Sequence, residues 1–306
     1  MSFFVQLPVS SYPEALPFDF GQGFPFSYAA AQSMMWLSQL SYESSAKIDG
    51  ILTQWQLQLL AHLHSPNEGP LWGTATQGFV CRRDGATIVA FAGTDAGKIK
   101  TVLTDFETVP DDDSALHPGF RDALAAVWTQ LQAAVPSLDG GRLFVAGHSL
   151  GGALAVLAAF RLQDEANITA DAVYTFGLPR VGGTKFGTGY ELALGARTFR
   201  LVDGYDPVPA VPPTLLGFRH VGRRLSCAHD RTFDPISVPE SSVDDQPSLE
   251  QAETDYFGNT LADLLSGRVP APAQPGPLGV LYTQLPVGLA DHMQARYLRA
   301  LGTPVG

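Results

Sequence analysis

Residues 143–152 read Leu143-Phe144-Val145-Ala146-Gly147-His148-Ser149-Leu150-Gly151-Gly152. Four apolar residues run straight into a G-x-S-x-G pentapeptide, and a small, apolar stretch follows through Phe160. A buried strand, one tight turn and a close-packed helix are expected in that order. Strand, G-x-S-x-G, helix is the setting in which this short pattern forms a nucleophile elbow. The glycines on either side of the serine relieve crowding where the strand folds back onto the helix. Ser149 then stands at the tip of the turn. The amide of Leu150 and the positive end of the helix lie beneath the reaction centre and can meet developing negative charge. The plain alternative is a Gly-rich turn with an ordinary serine, which the strand and helix context disfavours.

Composition narrows the classes of function around this turn. The chain has 306 residues, 45% hydrophobic and 16% charged, which suits a globular protein with a large core. Its net charge of −11 leaves no basic stripe for phosphates, so nucleic acid is not an expected partner. A polybasic membrane patch is equally unsupported, so any lipid contact must be apolar. Cys81 and Cys227 are the two cysteines, too few for a disulfide scaffold, and free thiols are expected. No Cys/His spacing resembles a zinc site, and no run is apolar enough to span a bilayer. The N-terminus lacks a basic segment followed by a full apolar one, so no signal peptide is visible. A soluble protein is expected, its compartment undetermined.

Outward from the elbow, strands alternate with helices. Residues 1–25 are rich in Pro, Phe and Gly and are expected to wrap the surface as an irregular arm. Helices are predicted over 26–40 and 47–62. A hairpin is predicted over 76–91, turning at Asp84-Gly85 and ending in the small turn Ala92-Gly93-Thr94-Asp95. Further helices are predicted at 119–135, 256–265 and 290–301, and strands at 172–176 and 197–202. This alternation indicates a mostly parallel sheet covered by helices on both faces. Residues 230–255 are acidic, Ser/Pro rich and weakly periodic, an expected surface excursion. No repeat or long linker divides the chain, so 1–306 is read as one domain.

An elbow serine needs a base and an orienting acid, in α/β-hydrolase folds in the chain order Ser, acid, His. Asp206 is the best acid, in the turn after the strand that ends at Val202, where Pro207 and Pro209 stiffen the loop. Asp203 is its nearest rival, and a turn-capping carboxylate is the ordinary explanation of either. His117 comes too early in the chain, and His148 lies within the elbow itself. His220, His229 and His292 all follow the acid, and their spacing alone does not choose among them.

Several motifs together resemble the class 3 lipase family, the fungal-type triacylglycerol lipases with an α/β-hydrolase fold. They are Ala92-Gly93-Thr94, Thr104-Asp105-Phe106, His117-Pro118-Gly119-Phe120 and the elbow, followed by Thr175 through Gly182, Asp206-Pro207-Val208-Pro209 and Phe218 through Gly222. They occur in the family's order over roughly residues 26–225. The elbow is shared widely among hydrolases; the F-G-x-P-R-V-G and D-P-V-P segments are much more specific. The resemblance implies that Asp206 is the triad acid and His220 a structural residue. It places the base at His292, in Asp291-His292-Met293-Gln294-Ala295-Arg296-Tyr297, with an insertion at 230–280 lengthening the interval from acid to base. It implies that Thr94 is the second oxyanion donor beside Leu150. Ala92 departs from the family, which usually carries Arg there; that change removes a supporting group and no reacting one.

The resemblance also implies a mobile lid after Thr94. There, Ile99, Val102, Leu103 and Phe106 follow i, i+3, i+4, i+7 spacing, one face of a helix. An ordinary surface helix has the same periodicity. Asp105 matches a family acid that supports the Thr94 hydroxyl. The implied activity is that of a serine carboxylester hydrolase acting on lipid esters, a triacylglycerol lipase working at an oil–water interface without metal or cofactor. Phospholipase A1 and feruloyl esterase activities are alternatives within the class, and a catalytically inert lipid-binding module is the alternative outside it.

Overall fold

The computed structural model describes residues 6–18, 20, 26–65, 75–94, 116–135, 141–237, 239–241 and 287–303. Strand β1 spans Gln58–His64, β2 Gln77–Arg83, β3 Ala86–Phe91, β4 Arg142–His148 and β5 Ala172–Phe176. After the two-residue β6 (Gly182–Gly183) come β7 (Thr198–Asp203), the short β8 (Phe218–Arg219), β9 (Arg223–Cys227) and β10 (Glu240–Ser241). Eight of them form one sheet in the order β1-β2-β3-β4-β5-β7-β9-β10, while β6 pairs with β8. From β3 to β9 every pairing is parallel; the β1–β2, β2–β3 and β9–β10 pairs at the margins are antiparallel. With helices around it, this is the α/β-hydrolase fold.

Side-chain alternation along the strands explains why both faces are covered. In β4, Leu143 and Val145 enter one core while Phe144 and Ala146 enter the other. In β5, Val173 joins the first, and Ala172, Tyr174 and Phe176 the second. A strand that is apolar at every position must be buried on both sides. The first face is closed by helices α3 (Pro118–Ala125), α4 (Trp128–Ala134), α5 (Leu150–Ala166) and α6 (Thr184–Leu194). The second is closed by α1 (Tyr28–Leu40), α2 (Ser45–Gln54) and the C-terminal helix α8 (Gln294–Ala300), which α7 (Val287–Asp291) precedes. Small side chains on α5, among them Ala153, Ala155, Ala158 and Ala159, are wholly buried. They let the helix lie close beneath the sheet.

Four sequence expectations need correction. The helix predicted over 47–62 ends at Gln54, and its second half is β1. Gln56 reverses the chain at φ 57°, after which Leu59 packs on the second core and Leu60 and Leu63 on the first. Apolar residues divided between the two faces of a sheet suit a strand, and a short apolar run does not reveal that division by itself. The helix over 119–135 is interrupted at Ala126–Val127. The helix over 290–301 breaks at His292 and Met293, the latter in extended conformation at φ −72°, ψ 145°. Lastly, the N-terminal arm is irregular but not superficial, since Tyr12, Leu16, Phe18 and Phe20 are buried in the second core. Glu43 anchors it by accepting the Leu7 N–H at 2.7 Å and the Tyr12 hydroxyl at 2.9 Å.

Of the expected excursion, Phe233 is fully buried and Glu240–Ser241 pairs with β9 at the sheet margin. Residues 238 and 242–286, which include the rest of that excursion and the helix predicted at 256–265, lie outside the described residues, as does the lid stretch with Ile99, Val102, Leu103, Asp105 and Phe106. Cys81 and Cys227 are both free.

Candidate active site

Ser149 occupies the sharp turn between β4 and α5, at φ 59° and ψ −130°. That backbone is unfavourable for a residue with a side chain, and such strain persists only where the surroundings over-determine it. Its N–H is held by the Phe176 carbonyl at 2.8 Å, and its own carbonyl accepts from Gly152 at 2.9 Å. At Gly151 a Cβ would collide with the backbone of Phe91 and Ala92, so the glycine is required by the approach of β3 to α5.

Three segments bring the other polar groups to this turn. His292 Nε2 lies 2.8 Å from Ser149 Oγ. Its Nδ1 lies 2.9 Å from each carboxylate oxygen of Asp206. The histidine sits in the break between α7 and α8, and Asp206 in the turn after β7, 86 residues earlier. The carboxylate fixes the Nδ1–H tautomer and leaves Nε2 to accept the serine proton. Both side chains are fully buried, so water screens their interaction little.

Asp206 is itself held by neighbours. Val208 N–H donates to Oδ1 at 2.9 Å, and the Tyr297 hydroxyl donates to Oδ2 at 2.6 Å. Burial, reinforced by the Asp206 carboxylate, pushes the Tyr297 phenol well above its ordinary range, so it remains a donor. Gly177, at φ +62°, completes the wall. A Cβ there would stand 2.7 Å from Asp206 Oδ2 and 2.9 Å from His292 Nδ1, which explains the glycine of the F-G-L-P segment.

Thr94 and Leu150 flank the serine. Leu150 opens α5, where the first amides have no partner within the helix. A Cβ on Gly93, next to Thr94, would stand 2.9 Å from Ser149 Cβ, so this turn lies directly against Ser149. The Thr94 hydroxyl is buried and has no hydrogen-bond partner among the described residues.

The remaining histidines have other attachments. His117 caps α3, its Nδ1 accepting from Gly119 N–H at 3.2 Å. His220 Nε2 lies 2.8 Å from the Pro209 carbonyl; burial first, then the charges of Arg200, Arg180 and Arg224, hold it well below its usual range. His229 pairs with Asp291. His148 Nε2 lies 2.7 Å from the His292 carbonyl and its Nδ1 2.8 Å from the Tyr42 hydroxyl. Asp203, the rival acid, is buried 3.2 Å from Cys227 Sγ, away from the imidazole that Asp206 holds. The sequence did not single out Tyr42, and it presented Asp291 and Tyr297 only as parts of the motif around His292, without a role for either. An H-x-x-x-x-Y pattern after the base was the one available signal, and it says nothing about which oxygen the phenol would meet.

A family model described as Lipase (class 3) matches residues 88–216, which include Ser149 and Asp206 and stop short of His292. A lipase of Rhizomucor miehei is 32% identical over 188 residues, 56% of this chain and 51% of that one. Secreted mono- and diacylglycerol lipase 1 of Fusarium solani is 38% identical over 109 residues, 34% of this chain and 32% of that one. The chain thus spans about a third to a half of these curated relatives, at 32% and 51% of their lengths. Among solved structures, the Rhizomucor miehei lipase–propeptide complex superposes with a TM-score of 0.53 at 24% identity, covering 70% of this chain and 76% of that one. A fungal lipase–inhibitor complex gives 0.54 at 23% identity, covering 76% and 94%. At such identities the likeness is one of fold.

Proposed function

We propose that the chain is a member of the class 3 lipase family and, as such, a serine carboxylester hydrolase acting on lipid esters, a triacylglycerol lipase by substrate class. The observation that carries the reading is the relay Ser149 Oγ–His292 Nε2 at 2.8 Å and His292 Nδ1–Asp206 at 2.9 Å. Nucleophile, base and orienting acid stand in the geometry that acyl transfer requires.

Ser149 Oγ attacks the ester carbonyl as its proton passes to His292 Nε2. Asp206 holds the imidazole in the required tautomer and stabilises the imidazolium. The carbonyl oxygen becomes an oxyanion, met by the Leu150 amide and by Thr94 through its amide and hydroxyl. One such donor is worth roughly 10²–10³ in rate. His292 returns the proton to the departing alcohol, leaving an acyl-enzyme. Water enters and its oxygen attacks the acyl carbon as one proton passes to His292; His292 then returns that proton to Ser149 Oγ as the fatty acid leaves. Every step is a transfer between side chains of this protein, substrate and water.

Ser149→Ala, Asp206→Ala and His292→Ala test the assignment. Each is expected to lose about 10⁴–10⁶ in kcat while folded, since such residues act as a unit. A His292→Ala variant with near-parental turnover would sink it, above all if His220→Ala or His229→Ala were the inactive one. A panel of emulsified triglyceride, phosphatidylcholine, methyl ferulate and p-nitrophenyl esters of rising chain length tests the substrate class. Triglyceride is expected to lead; a clear preference for phosphatidylcholine or methyl ferulate would replace the lipase reading by phospholipase or feruloyl esterase.

A further inference from the structure

Behind the relay lies a second buried polar group, which touches neither nucleophile nor substrate. Its centre is Asp291, fully buried and next in sequence to His292. Asp291 Oδ2 accepts the backbone N–H of Tyr205 at 2.8 Å, and Tyr205 is next in sequence to Asp206. His229 Nδ1 lies 2.7 Å and 3.0 Å from the two oxygens of the same carboxylate. Arg296 Nη2 lies 3.0 Å from Oδ1, and Nη1 of that arginine reaches Asp230 at 2.6 Å. The Tyr205 ring stacks on His229 at 5.2 Å and 17°. One carboxylate therefore joins the acid-bearing turn, the base-bearing helix break and the segment after β9.

The placement matters because neither Asp206 nor His292 sits inside a regular element. Backbone ladders hold Ser149 from both sides, whereas a turn and a helix break have no ladder to register them against each other. A misplacement of about 1 Å at such a site can cost on the order of 10²-fold in rate. The Tyr205–Asp291 hydrogen bond lies one residue from the acid and one from the base, so it transmits any shift of one loop to the other. The turn is also shaped around the carboxylate. Gly204 is at φ +50°, and a Cβ there would run into Asp291 Oδ2 and Cγ. A buried carboxylate is a poor device for stability alone, since well-packed apolar residues often do as well. An apolar side chain cannot accept the Tyr205 amide.

We propose that Asp291 is a positioning residue of the hydrolytic reaction, fixing the Asp206 turn to His292 through the Tyr205 amide while His229 and Arg296 hold its carboxylate in orientation. The proposal rests on the hydrolase reading above, and its test separates the two. The full chain and its Asp291→Asn, Gly204→Ala and Ser149→Ala variants are compared for kcat and KM on a short soluble p-nitrophenyl ester. Thermal midpoint, active-site titration with a fluorophosphonate and the downfield proton resonance of the His292 ring complete the comparison. Asp291→Asn is expected to lower kcat per titrated site about 10- to 100-fold with KM held within about threefold, and to shift or broaden the His292 resonance. Gly204→Ala presses on the same contact without changing charge and should show the same loss, confined to kcat; it decides the matter if the Asn variant does not fold. An active Ser149→Ala would overturn the hydrolase reading itself. With Ser149→Ala inactive, parental kcat per site in both other variants overturns the positioning role, and so does a loss confined to the thermal midpoint.

Discussion

His148 Nε2 stands 2.7 Å from the backbone carbonyl of His292, so the residue before Ser149 holds the backbone of the histidine that faces it. The carbonyl can only accept, which makes Nε2 the protonated nitrogen of His148. Nδ1 then accepts from the Tyr42 hydroxyl at 2.8 Å. Burial first, and then the neighbouring His292, keep His148 well below its ordinary range and therefore neutral. Replacing it by Ala strands the buried His292 carbonyl and removes one partner of the part-buried Tyr42 hydroxyl, at about 1–3 kcal/mol of stability. We expect His148→Ala to lower kcat on a soluble ester by about 10-fold or more through displacement of the base. Tyr42→Phe should do less, since the imidazole keeps its contact to His292. Unchanged turnover in His148→Ala would remove His148 from the support of the base.

Tyr297 holds Asp206, with its hydroxyl 2.6 Å from Asp206 Oδ2. Hydrogen bonds to charged acceptors are worth about 1.5–3 kcal/mol, so Tyr297→Phe should lower stability by that order and reduce kcat while KM changes little. Chemical denaturation read beside soluble-ester kinetics checks both parts. A variant as stable as the parent would show that the phenol is dispensable.

Asp203 gives stability a pH dependence of definite sign. Burial, followed by the charge of Asp291, pushes its carboxyl up from 3.8 to about 8. Between those values the unfolded chain has released the proton that the folded protein retains, so the Asp203 contribution to stability falls as pH rises. Above the folded value the loss is complete. Asp203→Asn, which has no proton to release, should show a smaller fall in denaturation midpoint from about pH 5 to about pH 8 than the parent. Equal falls in both proteins would contradict the assignment.

The spacing of Ile99, Val102, Leu103 and Phe106 leads to a prediction that depends on the physical state of the substrate. A lid whose apolar face meets lipid can recover about 1.5–3 kcal/mol for each such side chain it buries there. Single replacements by Ser are therefore expected to reduce hydrolysis of emulsified triglyceride more than hydrolysis of a short soluble ester. Equal losses on both substrates would indicate an ordinary structural helix.

The sequence by itself determined what is local. The elbow is written in ten consecutive residues, because an apolar run, two glycines around a serine and a small-residue helix constrain one another through covalent geometry and close approach. The turn carrying Asp206 was legible for the same reason, as a proline-stiffened segment just beyond a strand. Tertiary structure alone decided which imidazole meets Ser149. His220, His229 and His292 are equivalent as letters, yet one faces the Pro209 carbonyl, one Asp291 and one the serine. Residues 58–64 were ambiguous in the same way, since Leu59, Leu60 and Leu63 fit a helical stripe until β2 pairs beside them and divides them between the two faces of a sheet. The tie from Asp291 to Tyr205 spans 86 residues and had no local signature. Contacts of that range depend on how finished elements pack, and spacing along the chain does not record it.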